Sequence, residues 1–154
     1  MSTRASALAL LFEKDLASLK TELEGYPDDA SVWTLQPGIN NSAGTLVLHV
    51  TGNLKHFVGA SLGKTGYVRD RDAEFSDRDL PKKALLQRID ETRDVVAKTL
   101  GGLDDRILDQ PFPGKGPATL GDAPTSGALL TYMYGHFAYH LGQVNYHRRL
   151  LAGG

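Results

Sequence analysis

Histidines spaced like metal ligands are the residues of this sequence that point most directly to chemistry. His136 and His140 lie four positions apart in a long apolar stretch, and His49 lies far upstream in a second one. Residues four apart on a helix share one face, with β-carbons about 5–6 Å apart, close enough to bind one metal ion. If the helices that carry these histidines pack face to face, three ring nitrogens converge and leave a coordination position open. An open position is typical of a reactive metal site rather than a purely structural one.

Other polar side chains share the faces that carry the histidines. Asn53 follows His49 by four residues, and Tyr132 and Gln143 fall within about 40° of His136 on a helical projection. An imidazole or amide buried without a partner costs about 1–3 kcal/mol, so these groups need partners in a helical core. A divalent ion is one such partner, and a hydrogen-bond network with water is the other.

The hydrophobic pattern predicts the helices that must position these side chains. Apolar residues recur at three- and four-residue spacing in four segments, which capping residues, glycine and proline delimit. The predicted helices run from about Thr3 to Glu24, from after Asn40-Asn41-Ser42 to Gly63, from Asp79 and Pro81 to Gly101, and from near Pro124 to Leu151. The strand signal is weak and confined to a few residues near Ile107 to Phe112. The sequence therefore predicts an all-α fold, an antiparallel four-helix bundle.

Two long loops separate the later predicted helices. Residues 64–75, between helices two and three, form a polar stretch of alternating charge, and residues 110–117, between helices three and four, are rich in proline and glycine. Long ordered loops between packed helices more often act as lids or binding loops than as neutral spacers. We therefore expect these loops to contribute to a functional site.

Composition excludes several classes of function. The 154 residues suit a single domain, and the net charge of −1 without a basic block lacks the electrostatic footprint of a nucleic-acid-binding protein. The sequence has no cysteine, so any reactive thiol must come from a substrate. No apolar run approaches the roughly 20 residues needed to cross a bilayer, and no signal-peptide pattern is present. We expect a soluble, cytoplasmic protein with no nucleic-acid or membrane partner.

Two motifs resemble those of a known superfamily. Leu48-His49-Val50 with Gly52-Asn53-Leu54, a long loop, and a terminal His136-x-x-x-His140-x-Gly142-Gln143 together resemble the DinB superfamily of DinB/YfiT-like metalloenzymes over nearly the whole chain. The resemblance implies one DinB-like four-helix-bundle domain over residues 1–154, with a divalent metal held by His49, His136 and His140. Characterised members of the superfamily transfer low-molecular-weight thiols such as bacillithiol, mycothiol or glutathione, and many members have no known activity. Dimers are common among them, which implies a homodimer.

The resemblance and the residue types together predict a metal-dependent enzyme. The leading hypothesis is transfer of a small thiol to an electrophilic substrate, with thiol and electrophile as the small-molecule partners. Asn53, Tyr132 and Gln143 would orient the ligands or the histidine rings. Arg69 would clamp a substrate carboxylate, although a residue in an alternating charge run is more often simply solvated.

Two alternatives stay open at this stage. One is a hydrolase that uses metal-bound hydroxide, and a carboxylate placed as general base would favour it, but none lies on the predicted ligand faces. The other is a non-catalytic bundle that binds a metal or a small ligand. Zinc or nickel are the leading candidates for the ion, and imidazole sites also accept iron, manganese and copper. The sequence identifies neither the thiol nor the electrophile.

Overall fold

The described part of the chain is all-helical, as the sequence predicts. A computed structural model describes residues 3–153, and within them the only β-type pairing is an isolated bridge between Pro111 and Thr125. The α-helices are α1 Arg4–Glu24, α2 Asp29–Val32, α3 Ala43–Leu54, α4 Arg71–Ser76, α5 Lys82–Gly101, α6 Asp105–Leu108 and α7 Ser126–Ala152. A π-helical segment, Lys55–Leu62, continues α3, and a short 3₁₀ turn covers Ala118–Leu120.

Side-chain caps define where the long helices begin. Thr3 accepts a hydrogen bond from the Ser6 backbone N–H and Ser6 accepts one from Thr3, a reciprocal pair that satisfies two free N–H groups at the start of α1. Ser42 caps α3 and Thr125 caps α7 in the same sense, each accepting from a backbone N–H three residues on. These polar caps fix the helix starts close to their predicted positions.

The long helices pack against one another around an apolar core. α1 packs against α5 and α7, and α3 also packs against α5 and α7. Large apolar side chains fill the space between them and are at most 1% exposed: Phe12, Leu16, Leu19, Leu23, Ile89, Val96, Leu100, Leu129, Leu130, Met133 and Phe137. The predicted antiparallel four-helix bundle stays a prediction.

α3 is the central helix, and every one of its residues is buried. A helix that is apolar on all sides belongs in the interior rather than at the surface. His49 and Asn53 lie on this helix and are only 7% and 6% exposed. The fold therefore places an imidazole and an amide inside the protein, where each needs a partner.

The connections differ from the sequence prediction in two ways. The weak strand signal near Ile107 to Phe112 corresponds to no strand: Asp104 accepts the Arg106 N–H and starts α6, which takes up Ile107. Pro111 has no N–H to donate and forms only the isolated bridge. The predicted loop 64–75 also contains the start of α4, which Asp70 caps by accepting the Ala73 N–H. No helix among residues 3–153 is long and apolar enough to cross a membrane.

Candidate metal centre

The three predicted ligands converge, although they come from two helices and distant parts of the chain. His49 lies in the middle of α3, and His136 and His140 lie one turn apart on α7. His136 Nε2 is 3.2 Å from His49 Nε2 and 3.2 Å from His140 Nε2. Each histidine offers one ring nitrogen, and these three nitrogens lie within 4.8 Å of one another. The predicted convergence of the imidazoles is therefore present.

Two of the rings are held by hydrogen bonds from their other nitrogen. His49 Nδ1 donates to Glu74 Oε2 at 3.0 Å, and His140 Nδ1 donates to Gln143 Oε1 at 2.7 Å. Since carboxylate and amide oxygens can only accept these bonds, both Nδ1 atoms carry the proton. In the neutral form of each ring, the Nε2 atoms of His49 and His140 therefore direct lone pairs toward His136.

The rings cannot satisfy one another by hydrogen bonding. His136 Nε2 can donate at most one proton, so at least one of the two lone pairs that face it is left without a partner among the rings. A cation between the nitrogens would satisfy all three lone pairs. In a tetrahedral zinc site with Zn–N bonds of about 2.0–2.1 Å, neighbouring nitrogens are about 3.3–3.4 Å apart, close to the two observed separations of 3.2 Å. The donor set and its spacing thus fit a divalent ion.

Glu74 is the site residue that the sequence analysis did not identify. It lies on the short helix α4, is 5% exposed, and accepts hydrogen bonds from His49 Nδ1, from Arg69 Nε at 2.6 Å and from Arg69 Nη2 at 2.9 Å. Burial raises the pKa of Glu74, but the bonds from His49 and Arg69 outweigh it, so the pKa lies below its ordinary value of 4.5. Glu74 is therefore a carboxylate at neutral pH and fixes which nitrogen of His49 faces the site.

Gly52 makes the approach of Glu74 possible. A Cβ atom at position 52 would lie 2.2 Å from Glu74 Oε1 and 2.8 Å from its Cδ, distances that real atoms do not adopt. Glycine in a buried helix costs about 1 kcal/mol relative to alanine, so a glycine there indicates close approach by another group. The pair Gly52-Asn53 was the signal in the sequence that could have located this contact.

Phe75 completes the contacts of α4 with the centre. Its ring packs on the His49 ring with centroids 4.9 Å apart. The rings of His136 and His140 meet edge to face at 4.5 Å, and each lies 5.1 Å from the His49 ring. The imidazoles are therefore packed on several sides and have fixed orientations.

Burial keeps the α7 histidines neutral. Desolvation, followed by the neighbouring His140 and His49, lowers the pKa of His136 from 6.5 to about 4. Desolvation also lowers the pKa of His140, partly offset by its bond to Gln143. Neutral imidazoles are the form that binds metal, so His136 and His140 are in the ligating form at neutral pH.

The remaining predicted site residues divide between the ring contacts and a cavity. Gln143 contacts His140, and Arg69 contacts Glu74. Asn53 and Tyr132 line a cavity of about 220 Å³ that also borders His49 and His136. Their roles toward a metal or substrate stay predictions.

Fold and site together define an all-helical protein with a three-histidine cluster that could hold a metal ion. Residues 9–154 match the family described as "Protein of unknown function (DUF1572)", and the chain belongs to that family. The matched range includes all three histidines and Glu74. No curated protein and no solved structure gives a significant match.

Proposed function

We propose that this protein is a divalent-metal-dependent enzyme that transfers a low-molecular-weight thiol to an electrophilic substrate. The observation that carries the proposal is the convergence of His49, His136 and His140, whose Nε2 lone pairs cannot all be satisfied by protein hydrogen bonds. We assign these three residues as the metal ligands, with zinc or nickel as the leading candidates for the ion. A divalent ion held by three neutral imidazoles keeps its full double charge and, when bound, acidifies a thiol or water beside it.

The surrounding residues of the chain position the ligands. Glu74 holds the proton on His49 Nδ1, and Arg69 holds both oxygens of Glu74 in place. Gln143 holds the proton on His140 Nδ1. Hydrogen bonds to the far nitrogen of a metal-binding histidine fix its tautomer and raise its basicity, and losing one typically lowers metal affinity about 10–100-fold.

The arrangement of acidic groups favours transfer over hydrolysis. Within the described range, no carboxylate lines the cavity beside the histidines, and both oxygens of Glu74 are already engaged by His49 and Arg69. A carboxylate free to accept a proton from water would favour a hydrolase. Since the chain has no cysteine, the sulfur nucleophile would come from a small molecule.

We also propose that the family of this chain belongs to the DinB superfamily. Two motifs support this assignment: His49-x-x-Gly52-Asn53 and His136-x-x-x-His140-x-Gly142-Gln143. The packing of α1 and α3 against α5 and α7 is compatible with its antiparallel four-helix bundle. The proposal includes one DinB-like domain over residues 1–154 and a homodimer.

Metal analysis of the purified protein tests the ligand assignment. We expect close to one divalent ion per chain in the wild type and its loss in His49→Ala, His136→Ala and His140→Ala. His56→Ala is the matched control, because His56 lies on the segment that follows α3 and packs against Phe57, outside the cluster. Equal metal content in the wild type and the three ligand variants would refute the metal site.

Thiol binding tests the transferase assignment separately. In the cobalt-substituted protein, bacillithiol, mycothiol or glutathione should change the visible absorption spectrum, because a sulfur ligand alters the field around the ion. Serine-containing analogues that lack the thiol should not. A metal-loaded protein that responds to none of these thiols would support a non-catalytic bundle instead.

A further inference from the structure

A small cavity opens beside the histidine cluster. It holds about 220 Å³, below the roughly 300 Å³ at which drug-sized ligand pockets begin. His49 and His136 form part of its wall. Asn53, Arg69, Arg71 and Tyr132 contribute further polar groups. A ligand in this cavity would lie directly against the proposed ligand set.

Asn53 carries a polar group without a partner in this cavity. Its side chain belongs to a residue only 6% exposed, yet none of its amide atoms forms a hydrogen bond with another residue in the range 3–153. Asn53 lines the cavity, and its amide atoms are not among the fully enclosed side-chain atoms without a partner, so the amide is accessible from the cavity. The cavity wall therefore offers an unused donor and acceptor to whatever occupies it.

Arg71, an exposed residue, adds a positive charge to the cavity wall. Its guanidinium lies over the Phe75 ring at 5.0 Å, and it forms no ion pair with any described carboxylate. Stacking uses the face of the guanidinium and leaves its N–H groups free to bind an acceptor in its plane. Arg69 differs, because Glu74 neutralises it and occupies its Nε and Nη2.

We propose that this cavity binds the carboxylate of a small substrate, with Arg71 pairing to the carboxylate and Asn53 hydrogen-bonding to a carboxylate or neighbouring oxygen. The inference rests on the proposed function, since it names the substrate class of the same site. An arginine fork matches a carboxylate by two parallel hydrogen bonds. The volume restricts the ligand to a small molecule, so the electrophile would be a short carboxylic acid or would present one as its end group.

Propionate and propionamide, which share shape but differ in charge, serve as probes. Each is titrated into the zinc-loaded full chain while the side-chain amide resonance of Asn53 is followed by NMR. We expect a saturable shift with propionate, and an affinity for propionamide about five- to tenfold weaker. Arg71→Gln should weaken the binding of propionate by the same factor and leave the affinity for propionamide unchanged.

Arg78→Gln is the matched control, because Arg78 lies just after the same short helix but donates to the backbone carbonyls of Phe75 and Asp77. It should leave both affinities unchanged. Propionate binding that Arg71→Gln does not weaken, or that Arg78→Gln weakens equally, would overturn the inference even if the ion is bound. If the histidines bind no metal but propionate binding still depends on Arg71, the inference stands and the proposed function fails.

Discussion

Substituting Gly52 by alanine should loosen the histidine cluster without touching a histidine. The new Cβ would lie 2.2 Å from Glu74 Oε1, and the opposing atoms are a buried carboxylate held by His49 and Arg69. Glu74 must therefore move away, and His49 loses the acceptor that fixes its Nδ1 proton. We expect metal affinity to fall about 10–100-fold, the usual effect of losing such a partner.

The same substitution has two opposing effects on stability. Alanine favours the helix by about 1 kcal/mol, whereas hydrogen bonds to a charged group contribute about 1.5–3 kcal/mol each. Losing the bond from His49 and one from Arg69 removes about 3–6 kcal/mol, so the metal-free protein should lose about 2–5 kcal/mol of unfolding free energy. Gly135→Ala is the control, since nothing lies within 4 Å of a Cβ at that helical position.

Competition with a zinc chelator measures the affinity, and urea unfolding of the metal-free protein measures the stability. A double-mutant cycle then tests the route of the effect. If Gly52→Ala acts by displacing Glu74, it should lower zinc affinity no further in a Glu74→Ala background. An equal fall in zinc affinity in the wild-type and Glu74→Ala backgrounds would show that Gly52→Ala does not act by displacing Glu74.

Three further predictions concern the core and the pH dependence. Tyr26→Phe removes the hydroxyl that lies 2.7 Å from His147 Nδ1 in the interior, and urea unfolding should show a loss of about 1–3 kcal/mol. Leu16→Ala, at a position with 0% exposure, should cost about 2–5 kcal/mol by the same measurement. The pKa of His136 is about 4 when folded and 6.5 when unfolded, so the unfolded state takes up the proton first as pH falls. Thermal unfolding of the metal-free protein should show stability lost from pH 6.5 toward pH 4, and a flatter profile in His136→Gln would check the assignment.

The sequence was sufficient to predict the long helices and the shared face of His136 and His140, because both depend on local spacing. Apolar residues at helical intervals with Ser42 and Thr125 as caps predict α3 and α7, and the four-residue spacing of His136 and His140 places both rings on one face. His49 could be added because a polar residue inside an apolar helix needs a partner in the core. Hydrophobic periodicity carries this information directly.

The features that the sequence did not reveal depend on the path of the connections. Glu74 reaches His49 across 25 positions because a loop folds back over α3, and no periodic pattern encodes that path. Helices of four to six residues, such as α2 and α4, are too short to show a hydrophobic period. The change from α- to π-helix after Leu54 has no signature in residue type either. Because the path of this connection was unknown, Arg69 was expected to bind a substrate carboxylate. In the structure it pairs with the carboxylate of Glu74.

The histidines of the cluster lie on long helices, whereas several residues beside them lie on one connection. This difference affects how such proteins can change during evolution. The three histidines come from α3 and α7; His49 is buried, and His136 and His140 are partly buried. Four of the groups beside them, Arg69, Arg71, Glu74 and Phe75, come from a single short stretch that includes α4 and packs against α3. Substitution of the exposed Arg71 can therefore change what borders the cavity, whereas Glu74 must stay in place to hold His49.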